Sequence, residues 1–280
     1  MYMEWLINTY LKQSNINDKS KKVYANRIYQ FLEYFDIHTI EDLSKIDRDH
    51  LVSYIYNSTQ SVSSQKSRFF ALKSFYQYLE ENYDIANLLN DLKPPKPMRV
   101  KKREILNDTD IHKIRKAMRM DISNNKENLM KSYISVRNLI LFDILTHTGL
   151  KASELVSVKK QDIKYYKNSI EIHIQTGVTR DIVLPKYIYS EWKYYMGIRN
   201  MYLNQENVYL FFTRNYEPIS VRFLEQILCS YSKYIGKNIS PQVLRAYYIS
   251  SSYSANKGVE DISKEIGISN ESISKYLPAT

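Results

Sequence analysis

Near the end of this 280-residue chain stands Tyr276. Upstream lie two segments that each carry a cation, Thr148-Gly149-Leu150-Lys151-Ala152-Ser153-Glu154-Leu155 and Ser240-Pro241-Gln242-Val243-Leu244-Arg245. Cleaving a phosphodiester with a tyrosine needs an oxygen nucleophile, cationic donors on the non-bridging oxygens and an acid for the leaving 5′-oxygen. Arginine suits the donor role best, because its guanidinium offers phosphate a planar fork. The same C-terminal stretch carries a second pattern. From Asp261 to Leu277, Ser263 sits four residues before Gly267 and Ile273 follows, as in a helix-turn-helix. Tyr276 is then a packing residue one turn beyond Ile273. Nucleophile and packing residue both stay open on the residues alone.

These groups need elements to hold them. The apolar run from Leu139 to Leu145 reads as a buried helix, Gly149 suits its C-cap, and Ser153 and Glu154 suit the start of the next helix. Leu106 to Asp110 gives a capped helix start. Residues 169–174 and 180–185 alternate apolar and polar around Thr176-Gly177, as a β-hairpin does. The rest of this half reads as mainly helical, with Pro218 and Pro241 as breaks. In the first half, Asn17 or Asp18 can cap a helix whose apolar face is Tyr24, Ile28, Phe31, Leu32 and Phe35. A later helix runs from about Ser63 to Glu81, with Phe69, Leu72, Tyr76 and Leu79 on one side and Lys66, Arg68 and Lys73 off that stripe. The aromatics read as core rather than contacts. Between the halves, Lys93 to Arg103 holds six basic residues, three prolines and no acid. Proline blocks helix and like charges extend the segment, which is either a solvated linker or a strap across phosphates.

The bulk numbers limit the partners. Lys plus Arg is 40 against 30 acidic residues, a net charge of +10, and the pI is near 9.3, which favours a polyanion: nucleic acid or an anionic membrane surface. A single cysteine, Cys229, excludes a disulfide framework and a cysteine zinc site and fits a reducing cytosol. No apolar run reaches membrane-spanning length, the N-terminus lacks a signal-peptide pattern, and no Walker, zinc or Rossmann motif is present. A cytoplasmic protein with no membrane partner is the expectation.

The order of these motifs resembles the tyrosine recombinase family, the phage-integrase and Xer class of DNA breaking and joining enzymes. In that family the Lys151 position is Arg, within TGLRxSEL, and the Gln242 position is His, within HxxR. The resemblance implies a mainly α fold with a small β-sheet, arranged as a two-domain DNA clamp. Residues 1–92 would be a helical, SAM-like core-binding domain, 93–103 the basic Pro-rich linker, and 104–280 the catalytic-type domain. It also implies double-stranded DNA as partner, a homo-oligomer or partner recombinase on that DNA, and a 3′-phosphotyrosyl route with no metal or nucleotide cofactor. The DNA contacts would include Lys66, Arg68, Lys73, Lys96, Arg99, Lys101, Lys102, Arg103 and Arg180.

Carried over position by position, Arg245 is the family's second arginine and Tyr276 its nucleophile, one residue closer to Gly267 than usual. Lys151 keeps the first arginine's charge but loses its fork. Gln242 replaces the histidine and can donate a hydrogen bond without shuttling a proton. Gln175 and Thr176 occupy the region of the hairpin lysine, and Ile268 stands where the family has His or Trp. Four of six positions therefore depart from the pattern. Losing one preorganised donor costs roughly 3–4 kcal/mol, so impaired cleavage is expected. Only four residues follow Tyr276, where family members continue into a segment that docks on a neighbouring protomer. The rival expectations are a non-catalytic DNA-binding or accessory protein on the same fold, and a helix-turn-helix transcriptional regulator reading DNA with residues 259–277.

Overall fold

Polar caps decide where most helices start. The computed structural model describes residues 2–57, 59–96, 105–202, 208–274 and 276–277. The chain divides into two compact units, Met1–Lys102 and Arg103–Thr280.

In the first unit, α1 (Tyr2–Gln13) is followed by α2 (Asp18–Tyr34), where the Asn17 side chain accepts from the Ser20 backbone N–H. Thr39, Asp47 and Ser61 cap α3 (Ile40–Ser44), α4 (Arg48–Ile55) and α5 (Val62–Tyr83) in the same way, each satisfying an N–H that the helix itself cannot. The apolar stripes of α2 and α5 meet in one core. Ile28, Phe31, Phe69, Leu72, Tyr76 and Leu79 are fully buried in it, and Tyr24 and Phe35 pack on its edge. Phe31 meets Tyr54 and Tyr76 edge-on, at 5.5 and 6.2 Å between ring centres. The Tyr56 hydroxyl donates to the Lys93 carbonyl and fixes the chain as it leaves this unit.

The second unit is built around α7. An Asn107–Asp110 capping box starts α6 (Asp108–Asn124), and Asn128 caps α7 (Leu129–Thr148), whose residues 139–145 are all buried. Gly149 ends α7 in the left-handed conformation (φ 59°). A Cβ there would meet Tyr248 Cδ1 at 2.5 Å, so glycine is required on two counts. Next come α8 (Ala152–Val156) and an antiparallel sheet of β1 (Ile163–Tyr165), β2 (Ile170–Ile174) and β3 (Arg180–Val183) in the order β1-β2-β3. Ile172 pairs with Ile182 and Ile174 with Arg180, which turns Ile172, Ile174 and Ile182 onto the core. The hairpin expected from alternation is present; β1 joins it as a third strand whose three residues are too few to show a period.

The remaining helices are α9 (Tyr189–Tyr202), α10 (Val221–Ser230), α11 (Pro241–Ser254), α12 (Val259–Ile266) and α13 (Asn270–Ser274). Pro241 occupies the first turn of α11 behind the Ser240 cap, where its missing N–H costs nothing. Between α9 and α10, two buried arginines hold irregular backbone in place. Arg137 donates to the Phe212 carbonyl, and Arg199 to those of Leu210 and Tyr209. The chain is thus mainly helical with one small antiparallel sheet. No helix among the described residues is long and apolar enough to cross a membrane.

Candidate functional site

Arg245 projects from the first turns of α11 into the interior and is 6% exposed. One terminal nitrogen donates to the carbonyl of Gly149 and the other to that of Ile266, at 2.9 Å for the latter. These are the C-terminal ends of α7 and α12, where unpaired carbonyls concentrate negative charge. Burial lowers the pKa of the guanidinium from its ordinary value, while Glu154 and Tyr276 pull the other way. An arginine stays protonated through such a shift. Two of its five N–H groups are used in these backbone bonds, which leaves donors for an anion.

Around Arg245 the structure gathers a charged cluster. The Glu154 carboxylate, in α8, accepts from the Lys151 backbone N–H at 2.8 Å and pairs with Arg180 of β3 at 2.9 Å. Both members of that pair are buried, at 3% and 9% side-chain exposure. The Lys151 ammonium lies 3.9 Å from the same carboxylate with its side chain 46% exposed, so it points largely to solvent. Gln242 is exposed on α11, one turn before Arg245. The hairpin tip closes the other side: a Cβ on Gly267 would lie 3.1 Å from Val178 Cβ and 3.6 Å from an Arg180 terminal nitrogen.

Tyr276 follows α13 in a turn, its backbone N–H donating to Ile273 at 2.8 Å. It packs on a small cluster of Ile249, Ile262, Ile266 and Ile273, beside Ile268 and Leu277. The helix, left-handed glycine turn and short helix read from the sequence are present at α12, Gly267 and α13. Tyr276 is thus in contact with a core whose Ile266 also supplies the carbonyl that Arg245 binds.

The expected DNA cations have different surroundings. Arg180 pairs with the buried Glu154 carboxylate, which needs a partner. Arg68 was expected on the exposed face of α5. Instead it donates to the Tyr54 carbonyl at 3.0 Å and stacks 4.4 Å from that ring, so its charge is turned inward. Lys66 and Lys73 are half-buried, and the Lys73 ammonium is 3.4 Å from the Asn90 carbonyl. Lys96 is exposed. Arg99, Lys101, Lys102 and Arg103 lie outside the described residues. At the hairpin, Gln175 donates to Asp162 at 2.6 Å and the Thr176 hydroxyl meets that of Ser157 at 3.3 Å. The sequence reading missed the Glu154–Arg180 pair, since nothing in the spacing of an α8 glutamate and a β3 arginine announces it. No three His, Cys, Asp or Glu side chains converge as a metal site among the described residues.

A model of the phage integrase family matches residues 104–276, and a model of the phage integrase N-terminal SAM-like domain matches residues 4–82. The chain belongs to the tyrosine recombinase family. The TnP I resolvase of Bacillus thuringiensis is 24% identical over 272 residues, 94% of this chain and 90% of that protein. Tyrosine recombinase XerC of Staphylococcus aureus is 26% identical over 171 residues, 59% of this chain, and the match spans about half of XerC (53%). Solved structures share the fold. The XerH site-specific recombinase bound to palindromic difH substrate gives a TM-score of 0.73 at 18% identity, covering 93% of this chain and 76% of that one. A lambda integrase dimer bound to a COC′ core site gives 0.69 at 15%, covering 98% and 94%. The family match runs through α12, Gly267 and α13 to Tyr276, so the segment that reads locally as a helix-turn-helix is part of the matched domain.

Proposed function

We propose that this member of the family binds duplex DNA and carries out site-specific recombination through Tyr276, with a slow cleavage step. The observation that carries this reading is the placement of intact Arg245, which donates to the Ile266 carbonyl at the end of α12, beside the isoleucine cluster on which Tyr276 packs. The net charge of +10 and the DNA-bound relatives support DNA as the partner. A neighbour, a lambda integrase tetramer bound to a Holliday junction, supports assembly of several protomers on that DNA.

In this reading the Tyr276 hydroxyl gives its proton to water as its oxygen attacks phosphorus, the bond to the 5′-oxygen breaks with that oxygen taking up a proton from water, and a 3′-phosphotyrosyl link forms. Arg245 and Lys151 balance the charge that develops on the non-bridging oxygens. The leaving oxygen needs a proton, and Gln242 has no acidic proton to give. That lack, added to the fork lost at Lys151 and the missing hairpin lysine, accounts for a slow step.

A second reading, a non-catalytic DNA-binding protein, draws on two observations. Gln175 is tied to Asp162, and Ile268 packs on the isoleucine cluster; both family donor positions have taken up structural work. A nicked suicide duplex separates the two. Slow formation of a protein–DNA adduct that disappears in Tyr276→Phe, with DNA binding unchanged, supports the recombinase. No adduct with such a duplex leaves the binder.

A further inference from the structure

Single exposed apolar side chains are ordinary; what matters for Phe70 is its setting. Of the chain's nine phenylalanines, Phe70 alone is exposed, at 47%. It stands on α5, a helix that buries Phe69, Leu72, Tyr76 and Leu79 on one side. The opposite side carries Ser63, Lys66, Phe70, Lys73 and Gln77, spaced by three and four residues, so they form one continuous stripe. From Val62 to Leu79 the helix contains no acidic residue. Tyrosine or tryptophan would bring a polar tip to such a surface, whereas phenylalanine brings only carbon.

A helix face with small hydroxyls, lysines and one apolar ring is complementary to the edge of a duplex groove. Lysine pairs with phosphate, and phenylalanine covers the 5-methyl group that thymine alone presents in the major groove. The spacing fits as well. Lys66 and Lys73 are two turns apart, roughly 10 Å along the helix, against a major groove about 12 Å wide. Phe70 lies between them, one turn from each. The Lys73 ammonium now rests 5.8 Å from the Phe69 ring centre and 3.4 Å from the Asn90 carbonyl, weak contacts that a phosphate displaces.

We propose that Phe70 is a specificity-determining residue: its ring covers the methyl group of one thymine in the target site, with Lys66 and Lys73 on flanking phosphates. This rests on the DNA-binding reading above.

The test compares full-length wild type, Phe70→Ala and Phe70→Leu on a duplex enriched from a random pool by the wild-type chain. Each thymine is replaced in turn by deoxyuridine, which removes only the methyl group. Wild-type affinity should fall about fourfold at one thymine, the worth of one buried methyl. Phe70→Ala should be indifferent to that replacement, and Phe70→Leu, which keeps an apolar side chain if Ala binds too weakly to measure, should show a smaller drop. Uridine effects that are the same in all three proteins overturn the proposal while leaving DNA binding intact. So does a Phe70→Ala variant with unchanged uridine sensitivity and an altered oligomeric state, which places the ring in a protein contact. A full-length chain that binds no duplex overturns the DNA-binding reading and this proposal with it.

Discussion

Lys151 and Glu154 sit three residues apart and have opposite dependencies. Lys151 is half-exposed, and at 3.9 Å its ion pair with Glu154 contributes little to folding. Lys151→Ala should therefore leave urea unfolding within about 0.5 kcal/mol of wild type but weaken binding to the target duplex more than loss of a remote surface lysine does. Lys151→Arg restores the planar fork and should speed adduct formation by about tenfold or more. If neither variant differs from the surface control, Lys151 is not at the phosphate. Glu154→Gln has the reverse profile. It leaves Arg180 buried against a neutral group, and removing one partner of a buried pair costs about 3–5 kcal/mol. Its unfolding midpoint should fall sharply, and Glu154→Met with Arg180→Met should recover part of the loss. A Glu154→Gln variant as stable as wild type would mean that the pair is solvated in solution.

At the scale of elements, the junction of α6 and α7 carries a pH dependence. The Asp143 carboxylate of α7 is 2% exposed and accepts from Arg115 of α6 at 2.7 Å, while its other oxygen has no partner. Burial pushes its pKa up to about 6, against the pull of Arg115. Because the folded value lies above the unfolded one, the stabilising contribution is complete below pH 4 or so and is lost as pH rises towards about 6. Wild type should lose stability relative to Asp143→Asn across that window, by up to about 3 kcal/mol at 1.36 kcal/mol per unit. The pKa of His147, one turn on, is lowered by burial, but this histidine is common to both proteins. A difference that stays constant with pH would rule out Asp143 as the cause. The elements themselves were largely legible in the sequence. Caps such as Asn17, Asn107 and Gly149 are local chemistry, and so is the alternation of β2 and β3. The roles of charged side chains were not, because they depend on partners distant in sequence. Arg68 and Arg180 looked like free cations until Tyr54 and Glu154 were brought against them.

At the scale of the whole molecule, the proposed DNA binding raises the part played by the segment between the two units. Residues 93–103, expected to link the two domains, carry six of the 40 basic residues in a stretch without acid. A tether that only connects the units raises affinity through effective concentration, and that gain depends on length rather than on charge. A tether that lies on the backbone also displaces counterions, and each neutralised phosphate adds about 0.9 to the slope of log affinity against log salt. The two roles therefore separate in one titration. Replacing Lys96, Arg99, Lys101, Lys102 and Arg103 with glutamine keeps the length and removes five charges. If the segment straps the duplex, anisotropy titrations between about 50 and 200 mM salt should give a slope shallower by up to about 4.5, with affinity lost most at low salt. If it is a solvated connector, the slope stays as it was, and the polyanion preference of this +10 chain resides in the folded units alone.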